Sequence, residues 1–398
     1  MKLSKRLDVI EPSMTLKVTQ RAAELKAQGV DVISFGAGEP DFDTPAHIKE
    51  AAKKALDAGA TKYTAVAGTP ELRKAVAAWF SKDHGLDVSP SEVMVSAGAK
   101  QVIYNAFQAV LSEGDEVILP APYWVSYSEI AKLAGAVPVP VVSTAADNFV
   151  VRPEAIAKAI TPRTKLILVV SPSNPTGAVY DEPTLRGIAD LVVKHDLWML
   201  TDDIYRYLCY GNAKFVQPAT FGPEVRKRTI IADGVSKAYA MTGWRIGFAC
   251  APKEVIEAMG TLQGQSTTNA AAVSQAAALA AISGPQDEVE RMRLEFDKRR
   301  QFMVKGLNAI PGVSCVEPMG AFYAFPDVSA YNGKTTPGGK LIKDDLDLCE
   351  YLISEGRVAL VPGSAFYAPG FVRLSYATSQ ANIEKGLGRI AEALAQLK

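Results

Sequence analysis

The stretch GVSKAYAMTGWRIG, residues 234–247, is small or apolar along most of its length, yet it carries Lys237 and, eight residues on, Arg245. Long cations are rarely buried unless a partner or a ligand uses them. A lysine amine can condense with an aldehyde, and a guanidinium can grip a phosphate. Other segments present complementary groups. SPSNPTG sets Asn174 and Pro175 in a turn, TDDIY puts Asp202 close to Tyr205, and SAGAKQ opens a helix with Gly98, Ala99 and Lys100. Amide N–H groups at such a helix start suit an anion. Each signal also has an ordinary reading. Asn-Pro with a following Gly forms turns, Asp202 or Asp203 can cap a helix, and a lone lysine is usually a snorkelling one.

The elements that must position these groups are short apolar runs alternating with helical patterns. Strands are expected at EVMVS (92–96), EVILP (116–120), VPVPVV (137–142), KLILVVS (165–171), LWMLTD (197–202), TIIAD (229–233) and IGFAC (246–250). Helical stretches at 100–112 and 183–196 lie between them. This alternation predicts an α/β fold with a mostly parallel seven-stranded sheet covered on both faces. The two prolines of VPVPVV confine that segment to an edge or an irregular stretch. Ligands of open parallel sheets sit at the carboxyl ends of the strands, which is where Asn174, Asp202, Tyr205, Lys237 and the Gly98 turn fall. Taken together they fit pyridoxal phosphate. Lysine serves the aldehyde, a carboxylate keeps the pyridine nitrogen protonated, Asn and Tyr serve the ring oxygen, and Arg with a helix start holds the phosphate. The small residues between Lys237 and Arg245 allow a bend that turns both cations to one ligand.

SK(x)₇RIG at 236–247, SNPTG at 173–177, DDIY at 202–205, AGEPDFDTP at 37–45 and VRLSYATS at 372–379 resemble the class I aminotransferases. The likeness runs from about Pro12 to the C-terminus. It implies a fold-type I enzyme dependent on pyridoxal phosphate, working as a homodimer with active sites at the subunit interface. By the same resemblance Lys237 is the lysine that carries the cofactor and moves the substrate proton. Asp202 is the pyridinium partner, preferred over Asp203 on spacing, and Asn174 and Tyr205 serve the ring oxygen. Trp124 stacks on the pyridine, and Tyr63 reaches the phosphate of the neighbouring subunit. Arg373 grips the substrate α-carboxylate, and Gly38 lies where the backbone approaches it. Where some relatives have a serine three residues before the lysine, this chain has Gly234, so Ser236 is the alternative source of a hydroxyl.

Lys100 resembles the lysine of bacterial and plant-type aspartate aminotransferases that meets a distal carboxylate, and PSMT at 12–15 implicates Ser13 and Thr15 in the same contact. L-Aspartate with 2-oxoglutarate is the expected pair, with prephenate as an additional substrate. Open alternatives are aromatic or aliphatic amino acids, or a lyase on the same fold.

The length of 398 residues favours two domains. From about Gly284 a charged helical stretch, short strands around GVSCVE, AFYAFPD, RVALVPG and FVRLSYA, and a final amphipathic helix suggest a smaller α+β domain. Residues 46–283 are then the cofactor domain, and 1–45 with 284–398 the closing one. Residues 1–45 show no strand–helix alternation. Lysine plus arginine and aspartate plus glutamate stand at 43 each, so nothing draws the protein to nucleic acid or an anionic membrane. The N-terminus has no apolar core, and charges interrupt the long apolar runs, which together predict a cytoplasmic protein. Cys209, Cys250, Cys315 and Cys349 lack paired spacing, arguing against disulfides or a metal site. His47, His84 and His195 are dispersed and read as structural or solvated, so proton transfer falls to another residue type.

Overall fold

The computed structural model describes residues 3–398. Numbered from the N-terminus, β1 (Ile33–Ser34) precedes the strands of the main sheet: β2 (Val93–Ser96), β3 (Glu116–Ala121), β4 (Val137–Val142), β5 (Thr164–Val170), β6 (Trp198–Asp202), β7 (Thr229–Gly234) and β8 (Gly247–Cys250). These seven run in the order β2-β8-β7-β6-β5-β3-β4. All adjacent pairs are parallel except those of β8, which runs antiparallel to both β2 and β7. The proline-bearing β4 lies at the edge, where its missing N–H groups cost no ladder bond.

Alternation along each strand explains the continuous apolar runs. Val117 and Leu119, with Leu166 and Leu168, face a core shared with Val102, Ile103 and Phe107 of the helix Ala99–Val110. Ile118, Ile167 and Val169 face the opposite core, with Leu185, Ile188 and Val192 of the helix Glu182–Lys194. Each fully buried aliphatic side chain contributes roughly 1.5–3 kcal/mol, so both faces must be apolar for the sheet to hold its helices.

The C-terminal part departs from expectation in detail. β9 (Tyr323–Ala324), β10 (Val358–Ala359), β11 (Val361–Pro362) and β12 (Val372–Ser375) are short. RVALVPG divides at Leu360: β10 pairs with β1, whereas β11 joins the antiparallel sheet β11-β12-β9. GVSCVE makes only the isolated bridge Ser314–Asp327. The N-terminal 45 residues do contain a helix followed by a strand, Met14–Ala27 and β1. That helix buries only Ala22, so its sequence shows no apolar stripe to announce it. The parallel pairing of β1 with β10 ties this N-terminal segment to the C-terminal part.

A buried charge cluster anchors the strand that leads to Lys237. Arg206 Nε donates to Asp233 at 2.6 Å and Nη1 donates to Asp83 at 2.8 Å, its guanidinium 4.1 Å from the rings of both Trp79 and Tyr207. Asp233→Asn keeps the shape but removes the charge facing Arg206. Urea unfolding of the cofactor-free protein is expected to show a loss of about 3–5 kcal/mol.

Candidate active site

The carboxyl ends of β5, β6 and β7 open on a cavity of about 380 Å³. Asp202, the last residue of β6, lies at its base. Oδ2 accepts from the Tyr127 hydroxyl at 2.6 Å and Oδ1 from the Ile204 amide at 3.3 Å. Burial raises its pKa, while Tyr127, the Ile204 amide and Lys237 oppose that rise. Asp203 does not line the cavity and bonds Gln217 instead. Burial, then the charge of Asp233, pushes its pKa well up. Successive residues of a strand point to opposite sides, so only one of the pair can reach the ligand.

Lys237 follows β7. Its Nζ donates to the Gly38 carbonyl at 2.5 Å and lies 5.7 Å from the Tyr205 ring centroid. Loss of hydration lowers its pKa to about 8, with the carboxylate of Glu39 opposing. The bend predicted between the two cations is present: Ala240 and Arg245 both have positive φ, 50° and 54°. Thr44 secures it by donating to the Ala240 carbonyl at 2.6 Å and accepting from Trp244 Nε1 at 2.9 Å. In the cofactor-free protein, reductive methylation of Lys237 by formaldehyde is expected to be half-maximal near pH 8. Surface lysines, with pKa about 10.4, still gain reactivity at higher pH. Peptide mass spectrometry across a pH series reads both.

Arg245 and the Gly98 turn form one corner. Arg245 donates from Nη1 to the Thr242 carbonyl at 2.9 Å and from Nη2 to that of Ala97 at 3.4 Å. Gly98 has φ 90°, and a Cβ there would stand 2.3 Å from Arg245 Nη2. The turn therefore requires glycine on two counts. Ala99 and Ser236 line the same cavity. The first amides of the helix that Ala99 opens have no intrahelical partner, so the corner offers N–H, hydroxyl and guanidinium donors with no carboxylate among them.

The same cavity carries two further cations, Arg373 and Lys100. Arg373, on β12, is 1% exposed. It donates to Asn174 Oδ1 at 2.9 Å and to the Gly36 carbonyl at 2.8 Å, and its Nε has no partner among the described residues. Lys100 is at the mouth, its ammonium 4.6 Å from the Trp124 ring centroid. Partial desolvation, then the charge of Arg245, holds its pKa below the ordinary lysine value. Thr15 also lines the cavity with an enclosed hydroxyl that has no partner among the described residues. Ser13 lines it too while capping the helix Met14–Ala27, its Oγ accepting from Leu16 N at 3.4 Å. Tyr63 is 89% exposed and does not line the cavity of its own chain.

Sequence reasoning missed Tyr127, Tyr323, Glu39 and Thr242, all of which line the cavity. Glu39 stood inside the quoted AGEPDF motif and accepts from Thr242 Oγ1 at 2.8 Å. Tyr127 lies three residues after Trp124 and meets it edge-on at 5.4 Å, a helical spacing that could have flagged it. Tyr323 carried no sequence signal.

The donor set fits pyridoxal phosphate: a depressed lysine amine, a buried carboxylate braced by a phenol, and an anion corner kept open by Gly98. Fold and site thus define an enzyme that uses this cofactor. A profile of the family described as aminotransferase class I and II matches residues 30–390, and the chain belongs to that family. It is 47% identical to an aspartate aminotransferase of Rhizobium meliloti over 98% of this chain and 96% of the relative. It is 48% identical to an aspartate/prephenate aminotransferase of Cereibacter sphaeroides, over 98% and 97%. The crystal structure of the aspartate aminotransferase from Rhizobium meliloti superposes with a TM-score of 0.96 at 46% identity, covering all of both chains. That of Thermus thermophilus with maleate gives 0.93 at 45%, covering 99% of this chain and 100% of the other.

Proposed function

We infer that this chain transfers the amino group of L-aspartate to 2-oxoglutarate by a ping-pong reaction, and that prephenate is a further amino acceptor. The observation that carries this reading is the presence of two separate cations for carboxylates, the buried Arg373 and Lys100 at the mouth, on the cavity that also holds Lys237. The relative with bound maleate, a dicarboxylate, supports it.

Pyridoxal phosphate held by Lys237 would supply the aldehyde carbon to which the amino group exchanges from the lysine, and a ring that withdraws electrons from the neighbouring C–H bond. Asp202 supplies the negative charge that keeps the ring nitrogen protonated, and Tyr127 fixes its orientation. Asn174 and Tyr205 hold the ring oxygen and Trp124 covers the ring. Gly98, Ala99, Ser236 and Arg245 hold the phosphate. Lys237 Nζ, neutral above about pH 8, takes the Cα proton of the amino acid. Arg373 and the backbone at Gly38 hold the α-carboxylate. Lys100, with Ser13 and Thr15, holds the distal one.

The enzyme is further inferred to be a cytoplasmic homodimer in which the exposed Tyr63 reaches the cofactor phosphate of the second copy. Exposed Leu3, Leu7 and Val9 supply apolar surface for that contact. Residues 46–283 form the cofactor domain, and 1–45 with 284–398 close on the substrate; of these, residues 1 and 2 lie outside the described structure. The β1–β10 pairing supports the second grouping.

Holoenzyme mixed with L-aspartate and no oxo acid is expected to lose its visible cofactor band while releasing one oxaloacetate per site. Release of pyruvate, ammonia and sulfide from L-cysteine, with the visible band retained and no response to aspartate, would assign a lyase. A band unchanged by aspartate would remove the dicarboxylate reading.

A further inference from the structure

We propose that Tyr323 is a positioning residue that donates its hydroxyl proton to Tyr205 and thereby leaves the proton of Tyr205 free for the cofactor ring oxygen. This rests on the assignment of Tyr205 to that oxygen. Both phenols are buried and line the cavity, and their hydroxyl oxygens are 2.8 Å apart. Tyr205 and Tyr323 have no other hydroxyl partner among the described residues, so one of the two protons in the pair remains uncommitted.

The surroundings decide which one. The guanidinium carbon of Arg373 lies 4.5 Å from the Tyr323 ring centroid, and a cation over the face of a phenol strengthens it as a donor. Burial raises the pKa of both phenols. Arg373 opposes that rise in both. Its guanidinium stands closer to the Tyr323 ring than the Lys237 ammonium does to that of Tyr205, 4.5 against 5.7 Å, so Tyr323 is the donor. A hydroxyl that accepts one hydrogen bond becomes a better donor of the next, so Tyr323 strengthens the bond Tyr205 offers. Gly38 keeps this arrangement clear, since a Cβ there would come to 3.1 Å from the Tyr323 oxygen. Tyr323 thus connects the group that binds the ring oxygen to the arginine that binds the carboxylate.

The test is a pH titration of the visible band of the holoenzyme in the wild type, Tyr323→Phe, Tyr205→Phe and the double variant. Tyr323→Phe keeps the ring on Arg373 and removes only the hydroxyl. A weaker donor to the ring oxygen favours its protonated state, so the midpoint should rise by roughly 0.4–1 unit. In the Tyr205→Phe background the same change should add nothing, because Tyr323 acts through Tyr205. A midpoint within 0.2 units of wild type, or an equal shift in both backgrounds, overturns the proposal. A Tyr205→Phe midpoint equal to wild type would instead remove the assignment of Tyr205 itself.

Discussion

Lys237→Ala is expected to lower the rate of amino transfer by about 10⁴-fold or more, the upper end of what one positioned acid–base group contributes, while leaving the fold intact. None of the remaining cavity groups is suited to replace it. Asp202 is engaged by Tyr127 and the Ile204 amide. Glu39 is exposed and bound to Thr242. Tyr205 and Tyr323 have pKa values raised by burial, and among the described residues no histidine lines the cavity. The stability effect should run the other way. The depressed pKa of Lys237 shows that its charge is held at a cost in this setting, so the melting temperature of the cofactor-free variant should not fall. Single-turnover measurement with L-aspartate, beside thermal unfolding of both proteins, checks the pair of statements. Residual turnover above 1% of wild type would place proton transfer on another residue.

What could be read from the sequence followed from how each feature is encoded. The central strands of the large sheet are buried on both faces, so the residues of VMV and LILVV had to be apolar, and the runs stood out. β9, β10 and β11 are two residues long, too short for any alternation to register. Lys237, Arg245, Asn174 and the Gly98 turn were visible because a polar or conformationally special residue at the end of an apolar run is itself anomalous. The division of labour between Asp202 and Asp203 was not, since it depends on which side of β6 each faces. Tyr127 and Tyr323 act through residues 75 and 118 positions away, and one chain by itself carries no mark of such pairings. The fold places them through the helix Ser126–Leu133 and through β9, whose neighbour β12 brings Arg373.

The two carboxylate-binding cations should separate by substrate. Arg373→Ala leaves Asn174 and the Gly36 carbonyl without their donors and removes the grip on the carboxylate that every amino acid carries. It is expected to lower kcat/KM roughly 10²–10³-fold for aspartate and for monocarboxylic amino acids alike, in line with the 2–5 kcal/mol lost when a buried charge partner is truncated. Arg373→Lys should recover little of this, because one ammonium cannot reproduce the planar fork. Lys100→Met keeps an apolar stem against Trp124 and removes the ammonium at the mouth. Its loss should reach about 10–100-fold for aspartate, the strength of a hydrogen bond to a charged group, and leave alanine or phenylalanine within about twofold. Measuring kcat/KM for aspartate and alanine in both variants distinguishes the roles. If Lys100→Met depresses the two substrates equally, Lys100 serves the cofactor phosphate beside Arg245, and another group must read the distal carboxylate. The enclosed Thr15 hydroxyl, which has no partner among the described residues, would then be the next residue to replace.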